Sequence, residues 1–234
     1  MSAELRTQAI ERGSRRSSLL FYRVTRATIR ILVNPWLRLR ATNTAVLDRQ
    51  GPTILAPVHR SHLDSALIAT QSKRRIRALG KESLFTTPGV SWVCAALGAI
   101  PVQRGKADRD ALMAARQLLA DGESMIVFPE GGRRSGNDIH ELFDGAAWLS
   151  ARTGAPVVPI GISGTEAALP MGAKWLRRSH VAIAVGEPMP PPVGSEGKRA
   201  SREQLRNFTA ELTERLQKAQ DEAVVLASED PGST

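Results

Sequence analysis

The sequence is poor in cysteine, histidine and aromatic residues, and it has no apolar run long enough to cross a bilayer. A single cysteine, Cys94, cannot close an internal disulfide and points to a reducing compartment. No zinc centre can be assembled from cysteines, and four histidines (His59, His62, His140 and His180) leave little for any metal. Aromatics make up only 4% of the chain, and no nucleic-acid reader motif is present, which argues against a nucleic-acid partner. The stretch 83–103 carries no charge, but Pro88, Gly89, Gly98, Pro101 and several hydroxyl side chains interrupt it. It reads as a buried loop, a short helix and a strand, not as a membrane span. No signal peptide is expected either: arginines break every apolar run near the start, and no small-residue cleavage site follows.

What is abundant is positive charge. The 234 residues carry a formal net charge of +9, with 42% hydrophobic and 24% charged residues, a composition suited to one globular domain. Such a balance calls for an anionic partner: nucleic acid, a membrane surface or a phosphorylated substrate. The charge is uneven. Residues 1–40 hold nine arginines against Glu4 and Glu11, leaving only +2 for the remaining 194 residues. Within this segment Leu20, Val24, Ala27 and Ile31 recur at helical spacing, with Phe21 and Leu32 beside them and Arg23, Arg26 and Arg30 on a second stripe. Arginines beside an apolar face describe a helix lying among lipid headgroups, ended or kinked by Pro35, with Trp36 suited to the interface. A surface helix with solvated arginines is the plainer alternative.

From residue 53 onward short apolar runs alternate with helical patterns. Strands are expected at 53–58, 76–79, 100–103, 124–128, 157–162 and 181–185, and helices at about 63–70, 108–120 (capped by Asp108) and 145–152. The alternation predicts a single α/β domain with a mainly parallel sheet flanked by helices, preceded by the N-terminal amphipathic helical segment. The expected division is 1–40 for membrane association, 41–227 for the domain and 228–234 for a disordered tail. A proline-rich connector from Pro188 leads to a capping box, Ser201 with Gln204, and a last amphipathic helix at about 201–223.

The most informative stretch is Ala56-Pro57-Val58-His59-Arg60-Ser61-His62-Leu63-Asp64, which follows a strand and opens a helix. In an open α/β sheet, ligands bind beyond the carboxyl ends of strands. Across such a turn Asp64 can accept the Nδ1 hydrogen of His59, leaving Nε2 as a base with no enzyme nucleophile in view, so that a substrate hydroxyl would attack. A loop histidine followed by an acidic residue in a helix's first turn fits the same spacing. Two further strand ends carry Gly98-Ala99-Ile100-Pro101-Val102-Gln103-Arg104 and Phe128-Pro129-Glu130-Gly131-Gly132-Arg133-Arg134-Ser135. Glycines let backbone amides approach an anion, and arginine forks match phosphate oxygens. Taken singly, solvated arginines and a plain Gly-Gly turn satisfy these patterns as well.

In this order the blocks resemble those of the 1-acylglycerol-3-phosphate acyltransferases and their glycerolipid acyltransferase relatives. The first matches a His-x4-Asp block, the second a block ending in an arginine, the third Phe-Pro-Glu-Gly-Thr-Arg-Ser, and Val158-Pro159-Ile160 the core of a fourth. Lys81-Glu82-Ser83-Leu84-Phe85 and Gly164-Thr165-Glu166 are also similar, and the resemblance covers about 50–188. It implies transfer of a fatty acyl group from acyl-CoA or acyl-carrier protein to the free hydroxyl of lysophosphatidic acid, giving phosphatidic acid. By the same resemblance His59 is the general base and Asp64 orients it. Arg104, Glu130, Gly131, Arg133 and Lys81 bind the acceptor, with Arg104 and Arg133 on its phosphate, and the Val-Pro-Ile block helps to form the acyl or acceptor site. No metal or prosthetic group is implied, and the expected location is the cytoplasmic face of a membrane, peripheral or monotopic.

Four positions depart from the family pattern: Val58 for Asn, Gln103 for Asp, Gly132 for Thr and Arg134 for Ser. They leave glycerol 3-phosphate or another lysophospholipid or glycolipid open as acceptor. A basic nucleic-acid-binding protein and a non-catalytic lipid-surface module are the readings outside enzyme chemistry.

Overall fold

The computed structural model describes residues 2–102, 109–194 and 199–229. In chain order, helices α1 (Ser2–Ser14), α2 (Arg16–Thr28) and α3 (Asn34–Trp36) precede strand β1 (Arg40–Thr42). Then come β2 (Ile54–Pro57), α4 (Asp64–Thr70), β3 (Ile76–Lys81), α5 (Pro88–Ala96), β4 (Ala99–Val102), α6 (Arg109–Ala120) and β5 (Ser124–Ile126). The chain closes with α7 (Gly145–Thr153), β6 (Val157–Ser163), α8 (Thr165–Ala168), β7 (Ala182–Val185) and α9 (Arg202–Ser228).

The described strands form a seven-stranded sheet in the order β1-β7-β6-β2-β5-β3-β4. β6, β2, β5, β3 and β4 run parallel, while β7 is antiparallel to β6 and carries β1 parallel to itself at the edge. The mainly parallel α/β domain expected from the sequence is therefore the observed one. β1 was not expected: it is three residues long, half-buried, and carries no apolar run. Its pairing partner, β7, is supplied from far along the chain.

Side chains of β2 alternate between the two faces, as the strand period requires. Leu55 clusters with Leu67 and Ile68 of α4. Ile54 and Ala56 cluster with Leu118 and Leu119 of α6, Ala146 and Leu149 of α7, and Phe208 and Leu212 of α9. The helix after β2 thus covers one face and the helix after β5 covers the other. β2 and β5 are neighbours whose following helices cover opposite faces, so the region beyond their carboxyl ends is a switch point, the place at which ligands bind in such sheets.

The capping box forms, with Gln204 N–H donating to Ser201 Oγ at 3.2 Å and Ser201 N–H donating to Gln204 Oε1 at 2.8 Å. It starts a helix that runs past the expected 223 to Ser228. Of the tail, 230–234 lies outside the described residues. α9 presses on β6 at Gly161, where a Cβ would collide with the Ala219 carbonyl oxygen. No larger residue fits there without moving the helix.

The basic N-terminal segment packs against the domain. Arg6 Nε donates to the Pro101 carbonyl at 3.1 Å, and Ala9 joins Phe85 and Ala95 in a small cluster. Ile76 N–H donates to the Tyr22 hydroxyl at 3.2 Å, and Arg26 donates to the Ser72 carbonyl at 2.6 Å. Arg77 grips Glu123 with two bonds, at 2.6 and 2.8 Å. Burial raises the Tyr22 pKa and, with the Arg77 charge beside it, pulls the Arg75 guanidinium down to about 10. Burial also raises the Cys94 thiol.

A π-helical turn, Ile29–Val33, ends two residues before Pro35. It accommodates the missing proline N–H, and the helical segment ends at Trp36. On the outer side Leu20, Val24, Ala27, Ile31, Leu32 and Trp36 are all exposed. Among the described residues no helix is long and apolar enough to cross a membrane.

Candidate active site

His59 follows β2 at the switch point. Its Nδ1 lies 2.9 Å from Asp64 Oδ2. The same oxygen accepts from the backbone N–H groups of Arg60 at 2.7 Å and Ser61 at 2.8 Å. Asp64 is wholly buried, in the first turn of α4. One carboxylate oxygen thereby shapes the turn and fixes the ring, and an ionised Asp64 selects the tautomer with hydrogen on Nδ1. Nε2 is left to act on a substrate. The ring stacks on Phe128, with centroids 3.8 Å apart and planes inclined by 20°.

The loop after β5 closes on His59 from the neighbouring strand. Glu130 Oε2 accepts from His59 N–H at 3.1 Å and from Arg60 Nη1 at 2.7 Å, and Glu130 Oε1 accepts from His140 N–H at 3.3 Å. Arg60 also donates through Nε to the Gly136 carbonyl at 2.7 Å and through Nη2 to the Asp138 carbonyl at 3.0 Å. In return Arg134 N–H donates to the His59 carbonyl at 2.8 Å. Glu166, in α8 just after β6, accepts from Gly136 N–H at 3.3 Å. The result is two loops laced into one rigid unit.

The expected site residues do not all stand alike. Glu130, assigned by resemblance to acceptor binding, is buried and its carboxylate is directed to Arg60 and two backbone amides. Gly131 sits at φ 68° with the Phe143 ring 2.6 Å from where a Cβ would be. Arg133 is half-buried, with no hydrogen-bond or ion-pair partner among the described residues. Lys81 is exposed at the end of β3, paired in register with Val102 of β4. Gln103, Arg104 and Asp108 lie outside the described residues. Val58, in place of the family Asn, is buried in the core. Val158-Pro159-Ile160 lies within β6, in register with β2 and buried, so it supports the strand that leads to His59 from inside the sheet. His62 is exposed. Among the described residues no group of three or more His, Cys, Asp or Glu side chains is placed to hold a metal.

Arg60 was missed by the sequence reading, although it stands inside the first block. The available signal was a charged residue directly after the histidine, with a lone acid at the neighbouring strand end. Phe128 belongs to the third block, whose sequence carries no sign of its stacking on His59.

A family model described as Acyltransferase matches residues 38–163. A chloroplastic 1-acyl-sn-glycerol-3-phosphate acyltransferase of Brassica napus is 26% identical over 183 residues, 73% of this chain and 53% of the relative. A 1-acyl-sn-glycerol-3-phosphate acyltransferase of Chlamydomonas reinhardtii is 30% identical over 143 residues, 60% of this chain and 43% of the relative. The chain thus spans about half the length of these curated relatives or less. The crystal structure of the 1-acyl-sn-glycerophosphate acyltransferase PlsC of Thermotoga maritima shares the fold, with a TM-score of 0.69 at 23% identity, covering 89% of this chain and 80% of that one. With a family match over more than half its length, this chain belongs to the acyltransferase family.

Proposed function

We propose that the protein transfers a fatty acyl group from acyl-CoA or acyl-carrier protein to the free hydroxyl of 1-acylglycerol 3-phosphate, giving phosphatidic acid. The observation that carries this reading is the buried His59–Asp64 pair at the switch point. The descriptions of the relatives support the acceptor. His59 Nε2 removes the proton of the acceptor hydroxyl as its oxygen attacks the thioester carbonyl carbon. The C–S bond then breaks, and the departing thiolate takes the proton back from the imidazolium, which Asp64 stabilises. A thioester is already activated, so no metal or prosthetic group is required.

Arg133, Lys81 and Arg104 receive the acceptor phosphate. Glu130 and Gly131 shape the loop that presents Arg133. The departures at Gly132 and Arg134 favour a second reading in which the acceptor is glycerol 3-phosphate or another lysophospholipid or glycolipid. The exposed stripe of the N-terminal segment supports peripheral or monotopic binding at the cytoplasmic face of a membrane, where both lipid substrate and product reside.

The test is incubation with lysophosphatidic acid and labelled acyl-CoA or acyl-carrier protein, with a panel of other acceptors alongside. Diacyl product is expected from the wild type, and His59→Ala should lose on the order of 10²–10⁴-fold in turnover while remaining folded. Absence of product with every thioester and acceptor would sink the assignment.

A further inference from the structure

We propose that the loop 170–178 is a second membrane-binding element, which seats the mouth of the active site on an anionic lipid surface. The proposal rests on the reading that this enzyme works at a bilayer, and it names a contact outside the N-terminal segment.

The loop carries an unusual combination. From 167 to 186 there is no acidic residue, while Lys174, Arg177 and Arg178 are all basic. All three are exposed. Between them Trp175 is 83% exposed, the highest value for a large hydrophobic side chain among the described residues, and Met171 is 69% exposed. Large apolar side chains in water mark an interaction surface when they are grouped. Tryptophan favours the headgroup level of a bilayer, and flanking basic residues are drawn to anionic lipid.

This exposure belongs to a built loop. Ala173 N–H donates to the Pro170 carbonyl at 3.0 Å, and Arg177 N–H donates to the Ala168 carbonyl at 2.8 Å. Ser179 Oγ donates to the Gly164 carbonyl at 3.2 Å. Leu176 packs inward on the core, while its neighbours Trp175 and Arg177 stay exposed.

Position gives the loop its meaning. It leaves the carboxyl end of β6 through α8 and returns into the antiparallel β7, so it lies at the same sheet edge as His59. Ser61, two residues after His59, donates through Oγ to the Leu169 carbonyl at 3.2 Å. On its other side the loop meets the N-terminal segment. The Arg178 guanidinium lies 5.9 Å from the Trp36 ring centroid, and Arg38 Nη1 lies 2.6 Å from His180 Nε2. Trp36, Ile31 and Leu32 are themselves exposed, so the apolar surface continues from helix to loop. A lipid surface fits this continuous apolar and basic face better than an acidic protein, which would meet the charge alone. Contact through this joined face, beside His59, would hold the catalytic nitrogen at headgroup depth, where the acceptor hydroxyl lies while its acyl chain stays in the membrane.

Three full-length variants test this: Met171→Ser/Trp175→Ser, Lys174→Glu/Arg178→Glu, and Val24→Asp/Ile31→Asp as the comparator on the N-terminal stripe. Each is sedimented with phosphatidylcholine vesicles, with and without phosphatidylglycerol. Turnover is measured on a water-soluble short-chain acceptor and on a vesicle-embedded one, and binding to acyl-carrier protein is titrated separately. Each loop variant should lose about tenfold or more in affinity for the anionic vesicles, with the charge-reversal effect fading at high salt. Turnover on the soluble acceptor should persist while turnover on the embedded one falls. Wild-type vesicle binding by both loop variants, alongside release of the stripe variant, would overturn the loop assignment and leave membrane binding standing. Failure of the wild type itself to bind vesicles would remove both readings. Loss of carrier-protein binding with vesicle binding intact would make the loop a protein dock and likewise overturn the proposal.

Discussion

Arg60 and Glu130 form an ion pair at 2.7 Å with their side chains only 3% and 0% exposed, and that pair joins the two loops of the active site. Each group spends its remaining capacity on backbone: Arg60 on the carbonyls of Gly136 and Asp138, Glu130 on the amides of His59 and His140. Removing one partner leaves the other charged and buried. Arg60→Ala or Glu130→Ala should therefore destabilise the fold by about 3–5 kcal/mol. The double variant Arg60→Met/Glu130→Leu should cost clearly less than the sum of the two single changes. Urea unfolding measures the stability terms. Kinetics well below the unfolding temperature test the positioning role, which predicts a fall in kcat for the double variant as well, because His59 loses a tether. An unchanged kcat in the double variant would make the pair purely structural.

Asp64 has two tasks, and a single substitution separates them. Asp64→Asn retains an oxygen that can accept from the Arg60 and Ser61 amides, so the turn survives. It loses the negative charge that fixes the His59 tautomer and steadies the imidazolium. Turnover should drop on the order of 10²–10⁴-fold, with KM nearly unchanged and the thermal midpoint close to wild type. Asp64→Ala should lose activity and stability together, because both amides then go unpaired. An active Asp64→Asn variant would mean that the carboxylate serves only the turn.

These two relationships differ in how far the sequence reveals them. His59 and Asp64 lie five residues apart on one turn, so their meeting follows from local geometry and was legible in the spacing. Arg60 meets Glu130 across 70 residues, and only the adjacency of β2 and β5 brings them together. Nothing in either loop alone reveals that adjacency, and the resemblance that assigns Glu130 to acceptor binding carries no sign of its pairing with Arg60. β1 was hidden for the same reason: three residues without an apolar run become a strand only because β7 offers them an edge. The helical stripe at 20–31 was legible from its period. That Arg26 would cap a distant carbonyl while Val24 faces out depends on the sheet beneath.

Gly131 offers a test of the loop that carries Arg133. Its φ of 68° is strained for any L side chain, and a Cβ would collide with the Phe143 ring. Gly131→Ala should therefore combine a backbone cost of about 1–2 kcal/mol with a steric one. Gly131→Ala/Phe143→Ala relieves only the steric part. Chemical denaturation should show the double variant recovering some, but not all, of the loss. KM for the acceptor should rise in the single variant as Arg133 is displaced. A single variant as stable and active as wild type would show that the loop adapts freely.

The exposed N-terminal stripe yields a prediction that deletion cannot test cleanly. Arg6, Ala9 and Tyr22 are buried against β4, α5 and β3, so removing residues 1–40 would uncover core as well as abolish the stripe. Val24→Asp/Ile31→Asp alters only side chains that already face outward. Surface changes of this kind usually shift stability by no more than about 0.5 kcal/mol each. The variant should thus unfold close to wild type in urea, yet lose most of its affinity for anionic vesicles, since each aspartate puts a charge where apolar surface would enter the headgroup layer. Vesicle binding equal to wild type would assign the stripe to an ordinary solvated surface and leave membrane attachment to other parts of the chain.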